Sequence, residues 1–381
     1  MNKKEILEIR KQLTPQNCAL TRIRACYVDG EKTKKFTTKD SFLSLPEEEA
    51  FKYFEIFRKA LSGSVGKNLF EMSFPLEEEF EEGKQTALLA LRDNQLEDDE
   101  MAESFFDRFI ENYEEPGNYY IILVHGNYDI PGRASDGTEM FDASENVYSF
   151  IQTCVCPVNL AKSALTYNSE NNRVEERVRD WIVEMPSKAF LFPLFNDRAA
   201  DIHGILYYSK KAEDIQPSLI ENLLGASQPL TPQAQKEGFN NVLSTIVGDT
   251  CDYETVQNIH ENLHDMIEES KESPDPLTLT GPEVKRLLTT SGIPEEKMES
   301  FDKCFEEIIG PGESLLAENL TNTKSFKISS PDVEIKVSPD RLDLIETRQI
   351  NGRTYLLIAA DEQVEVNGEP VRFHTEDPDA E

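Results

Sequence analysis

Between Asn118 and Gly126 the chain reads NYYIILVHG, a nearly unbroken apolar run rich in β-formers. A strand of this kind lacks the polar alternation that would let one face meet water, so it must be largely buried. More strand candidates follow: VYSFIQTCVCPV, DWIVEM, AFLFPLF and GILYYSK, separated by Gly, Pro, Asn and Asp clusters. Most connections are too short to hold crossover helices. The expected fold class is therefore α+β, with a mainly antiparallel sheet in the centre of the chain and helices flanking it.

The chain has 381 residues, which at roughly 100–200 residues per domain suggests two or three domains. Residues 1–116 are expected to be mainly helical with a basic start. In LPEEEAFKYFEIFRKAL, Pro46 stands near a helix start and Phe51, Phe54, Phe57 and Leu61 form one stripe. LSGSVGKNLF resembles a phosphate loop, but the Walker spacing is missing and Asn68 stands where Ser or Thr belongs, so it is read as a turn before a short strand. KQTALLALRDNQL and DDEMAESFFDRFIENY are further helices. Residues 117–272 form the expected central α+β domain. In it, Thr231 caps a helix over TPQAQKEGFNNVLSTIV, and another helix runs from about Tyr253 to Glu272. After a Pro-containing linker, 278–318 reads as a helical pair. Residues 323–373 read as a small β unit with hairpin turns at Asn351-Gly352 and Asn367-Gly368. The acidic tail 374–381 is expected to be disordered.

No run approaches the ~20 apolar residues of a membrane span. The start has no apolar h-region, and the six cysteines are mostly scattered. Both point to a cytoplasmic protein in a reducing compartment. The formal net charge is −33, which disfavours general binding to nucleic acid or to an anionic membrane. The charge is uneven: Met1–Lys39 holds ten Lys/Arg against four acids. That basic end is expected to dock on the chain's own acidic body.

Several long strings, among them TRIRACYVDG, NYYIILVHGNYDIPGRASDG, CVCPVNL, FLFPLFNDRAADIHGILYY and SPDVEIKVSPDRLDLIETRQINGRTYLLI, resemble a family of Clostridia and other Firmicutes known as domain of unknown function 4317. The likeness runs nearly the full chain. It implies a bacterial cytosolic protein and brings no activity, cofactor or catalytic residue with it.

Four stretches carry candidate chemistry. The first is H-E-x-x-H at His260–His264, the zinc-peptidase spacing, with Glu261 as general base and Glu283 at the distance of a third ligand in one peptidase class. Asp265 directly after the second histidine departs from that pattern, and Glu283 follows a proline that marks a helix start, where an acid stabilises the dipole. The second is VHGNYDIPGRASDGTEMFD, which places His125, Asp129, Arg133, Asp136 and Asp142 at and beyond a strand end. The third is Cys154-Val155-Cys156, two thiols on one strand face. Zinc and redox pairs favour wider spacing, so these read as buried and inert. The fourth is FPLFNDRAADIHG, with Asp197, Arg198, Asp201 and His203. Joined to the second, it forms the candidate binding cleft.

No dinucleotide fingerprint, nucleophile elbow or basic–aromatic nucleic-acid surface is present. The expectation is a non-catalytic binding or regulatory protein with a protein partner, possibly basic, and no cofactor. The alternatives are a zinc hydrolase using His260, His264 and Glu283, and an acidic mimic of nucleic acid.

Overall fold

The computed structural model describes residues 1–80, 82–133, 139–248, 252–360 and 364–371, with side chains at 133 and 139–145 left aside. They fall into two compact units, Met1–Ala234 with Ser273–Pro276, and Gln235–Glu272 with Leu277 onward.

The first unit runs α1 (Lys3–Lys11), β1 (Leu20–Val28), β2 (Lys34–Ser41), α2 (Glu47–Ala60), β3 (Leu69–Ser73), α3 (Lys84–Asp93), α4 (Asp99–Asn112), β4 (Asn118–Arg133) and β5 (Glu139–Leu160). It continues through β6 (Leu165–Asn168), β7 (Arg173–Glu176), β8 (Trp181–Val183), β9 (Lys188–Phe192), β10 (Leu194–Asn196), β11 (Ala199–Asp201) and β12 (Gly204–Ser209). One sheet runs in the order β2-β1-β4-β5-β9-β12-β3, with β8 on the far end of β5. Every pairing in it is antiparallel.

The apolar run at NYYIILVHG is the first half of β4, and it is buried on both sides. Tyr120, Ile122 and Val124 face one core with Phe54 and Phe57 of α2 and Ile6 and Ile9 of α1. Tyr119, Ile121 and Leu123 face a second core with Leu88 of α3, Phe105, Phe106 and Phe109 of α4, and the turn of helix at Leu219–Leu224. Side chains alternate across a strand, so a strand roofed on both faces is apolar at every position. Each fully buried Phe contributes roughly 1.5–3 kcal/mol by leaving water.

The N-terminal stretch holds its four helices and also supplies β1, β2 and β3. β1 is hard to see in sequence because TRIRACYV puts charge inside the sheet. Arg24 is buried; it donates to the carbonyls of Leu96 (2.6 Å) and Glu97 (2.8 Å) and pairs with Asp99. Arg22 pairs with Glu97, Lys34 with Glu103 and Asp107, and Lys39 with Asp99. Four cations of the basic start, Arg22, Arg24, Lys34 and Lys39, thus lie on acids in and just before α4.

The second unit carries most of α5 (Pro232–Val247), then α6 (Tyr253–Ser270), β13 (Thr278–Thr280), α7 (Gly281–Thr290), α8 (Phe301–Ile308) and β14 (Ser314–Leu316). Phe239, Val242, Ile259, Leu263, Ile267, Leu287, Leu288, Phe301 and Phe305 are buried. A Cβ on Gly238 would stand 2.5 Å from Ile309 Cδ1, so a larger residue there would push that methyl aside. Three hairpins follow: β15 (Phe326–Ser329) with β16 (Glu334–Val337), β17 (Ile345–Ile350) with β18 (Arg353–Ile358), and β19 (Val364–Val366) with β20 (Glu369–Val371). Asn351-Gly352 and Asn367-Gly368 all have positive φ, as tight hairpin turns need. The tail 374–381 lies outside the described residues.

Candidate functional site

His125 and the Asp197-Arg198 loop stand on opposite faces of the sheet. His125 has the same parity as Tyr119, Ile121 and Leu123, so it points into the core under α3 and α4. It is fully buried, with Nδ1 2.6 Å from Thr21 Oγ1 and Nε2 3.0 Å from Ser149 Oγ. The Thr21 hydroxyl also donates to the His125 carbonyl. The assignment that satisfies every group has Nδ1–H donating to Thr21 and Ser149 donating to Nε2. Burial, then the charges of Arg22 and Arg92, push the imidazole pKa down to about 4. His125 is therefore a neutral, hydrogen-bonded core residue.

On the other face, the tip at Asp197-Arg198 touches the far half of β4 at Pro131. Asp197 and Arg198 form the tip of the β10–β11 hairpin, both with φ near the left-handed region at 49° and 57°. Arg198 Nη2 donates to Pro131 O at 3.0 Å, and its Nε lies 3.5 Å from Glu8. Tyr128 Oη donates to the same Glu8 oxygen at 2.9 Å, and the Asp197 N–H donates to Glu5 at 2.7 Å. Glu5 also closes the capping box that starts α1. The cluster latches α1 and the hairpin onto the far half of β4. Asp129 is exposed on the strand's other side. The side chains of Arg133 and Asp142, and all of Asp136, lie outside the described residues. Asp201 accepts from Asn196 Nδ2, and exposed His203 pairs with Glu79, whose hydrogen bond raises the imidazole pKa.

Helix α6 carries the H-E-x-x-H residues as the spacing predicts, with Ile259, Leu263 and Ile267 as its buried stripe. Each candidate ligand has its own neighbour. His260 Nδ1 is 2.9 Å from Thr321 Oγ1, and its ring meets Phe326 edge-on at 5.5 Å. Burial lowers its pKa. His264 Nε2 is 3.1 Å from Asp340, and Glu261 accepts from Gln257. Glu283 accepts from the N–H and the hydroxyl of Thr280, both at 2.7 Å, as the third residue of a capping box for α7. Among the described residues, no three His, Cys, Asp or Glu side chains are gathered as a metal-holding group. Cys154 and Cys156 are buried on the α2 side of β5, and burial raises both thiol pKa values.

Among the described residues, the surface of the first unit has a groove and a cleft. A wide groove of about 570 Å³ runs between Pro15-Gln16 and the outer face of α2 at Phe51, Glu55 and Arg58. A cleft of about 100 Å³ has Leu88, Leu91 and Phe105 at its base and Lys84, Ser104 and Arg108 around them.

The surface that sequence reading missed is made of two-stranded ribbons. β17 and β18 pair only with each other among the described residues. Ile350, Tyr355, Leu356 and Ile358 on them are 40–55% exposed. The alternation and the Asn-Gly turn reveal the hairpin; nothing in the string reveals that it gains no third strand among the described residues.

No helix among the described residues is long and apolar enough to cross a membrane. Neither the curated proteins nor the solved structures contain a match to this chain. Residues 1–369 match the family described as Domain of unknown function (DUF4317), and the chain belongs to that family.

Proposed function

We propose that this protein is a binding or regulatory protein that acts through protein contacts, with a basic partner, and not by catalysis. The observation that carries the reading is the β17–β18 ribbon, which exposes apolar side chains on both faces, Ile350 and Tyr355 on one and Leu356 and Ile358 on the other. A lone two-stranded ribbon is marginal in water, and an apolar ribbon with open edges gains from an added strand or a packed surface. Val333 and Val366 on the neighbouring hairpins are also more than half exposed. The net charge of −33 favours encounter with a partner of opposite sign. The structural engagement of His125, His260, His264 and Glu283 fits a chain whose polar residues hold the fold together.

The test is affinity capture with the full chain beside a Tyr355→Asp/Ile358→Asp variant, at low and high salt. A basic protein recovered in near-equal amount by the wild type at low salt, and lost by an equally folded variant, is the expected result. Recovery of the same proteins by both, or of none by the wild type, would remove the reading.

A further inference from the structure

Helices α3 and α4 each carry a cation at one end of an apolar stripe, and the two stripes wall one cleft of about 100 Å³. On α3, Lys84, Leu88 and Leu91 follow at i, i+4 and i+7. On α4, Met101, Phe105 and Arg108 do the same, with Ser104 beside them. Residues at this spacing share a helix face. The cation comes first on α3 and last on α4. The connection 94–98 joins the Leu91 end of one stripe to the Met101 end of the other, so both cations lie at the far end. Glu78 marks that end. It accepts from the Lys84 N–H at 2.8 Å and from Lys84 Nζ at 2.7 Å. Burial works against its ionisation, but the Lys84 hydrogen bonds and the charges of Lys84 and Arg108 hold its pKa below the ordinary value. The cleft therefore has a head and a tail: cations at one end, and buried Leu88, Leu91 and Phe105 along the rest.

The two cations differ. Lys84 is matched by Glu78. Arg108 has no carboxylate within ion-pair distance among the described residues. Its guanidinium reaches the carbonyls of Leu223 at 3.4 Å and Asn222 at 3.5 Å, longer than the roughly 2.7–3.2 Å usual for such bonds. Among the described residues, no acid lines the cleft. A planar fork with donors to spare, at the end of an apolar slot, fits a carboxylate, which it can hold by two parallel hydrogen bonds.

We propose that this cleft binds a small straight-chain monocarboxylate, its head on Arg108 and its tail between Leu88, Leu91 and Phe105. Size sets the tail. A cavity of roughly 150 Å³ holds benzene, so a cleft of about 100 Å³ takes a tail of about three or four carbons with the carboxylate at the rim. Charge sets the head. One unmatched cation neutralises one negative charge, whereas a phosphate dianion would add a surplus charge to a chain of net charge −33. So few atoms are buried that a Kd of about a millimolar is expected. This site does not rest on the partner reading above.

Saturation-transfer NMR titrations of sodium pentanoate into the full chain test this. The wild type is expected to saturate in the low millimolar range. Acetate, which lacks the tail, and butylammonium, which has a tail and the opposite charge, should not bind. Arg108→Gln should weaken pentanoate about tenfold. Ser104 is exposed, so Ser104→Trp should fold, and its ring should cover the cleft and abolish binding. No saturation by the wild type through tens of millimolar would overturn the proposal. So would equal binding of acetate or butylammonium, or unchanged pentanoate binding in either variant when thermal unfolding shows it folded like the wild type.

Discussion

β5 and the β6–β7 hairpin beyond it offer two environments. At Cys154 and Cys156 β5 is completely buried; Leu165, in β6 a few residues past its end, is 75% exposed. Local chemistry is much the same at both places: extended backbone, antiparallel partner, apolar residues. What differs is company. Around Cys154 the strand has β4 on one side, β9 on the other and helices on both faces. In the β6–β7 hairpin each strand has one partner among the described residues, and Leu165, Tyr167 and Val174 are exposed. Hairpin formation sets register, while burial supplies most of the stability, so the same kind of ladder is a rigid core in one place and an open surface in the other.

The largest expected effect lies in the covered region. Phe57 is fully buried between α2 and the sheet, and Phe57→Ala should cost about 3–5 kcal/mol in denaturant unfolding. Tyr355→Ala on the exposed ribbon should stay within about 0.5 kcal/mol. Similar losses at both positions would break the contrast between covered sheet and open ribbon.

The covered sheet should also respond to pH through His125. Its folded pKa of about 4 lies below the ordinary histidine value of 6.5. The unfolded chain therefore takes up a proton first as pH falls. The stabilisation is complete above about pH 6.5 and is lost towards pH 4, by on the order of 3 kcal/mol. His260, also lowered by burial, acts in the same direction, so the difference between wild type and His125→Gln isolates the buried site. Equal pH dependence of the two proteins would show that His125 is not held neutral.

The smallest effect concerns Glu283, where structure and zinc chemistry predict opposite results. As a cap acceptor, Glu283→Gln should be nearly neutral, because Gln also serves in a capping box, while Glu283→Ala should lose about 1 kcal/mol. Both can be read from thermal unfolding. If Gln instead abolished a measured zinc stoichiometry, the cap would not be its main role.

Much of the layout was legible in the string. The run at Asn118–Gly126 required a sheet covered on both faces, and short connections made it antiparallel. Periodicity placed α2, α3, α4 and α6, and Asn-Gly pairs placed the last two hairpins. These are local matters, fixed by side-chain spacing and by the few residues that tolerate positive φ. Three things were decided only in space. Arg24 became a core residue because the carbonyls of Leu96 and Glu97 lie beside it. Asp197-Arg198 met Pro131 on one face of the sheet while His125 was turned into the other, because strand parity assigns a side only once the neighbours are known. DWIVEM, apolar enough for a core strand, stands largely exposed because β8 pairs only with β5 among the described residues. Sequence sets which groups could be buried or paired; which of them are depends on long-range neighbours that no local pattern encodes.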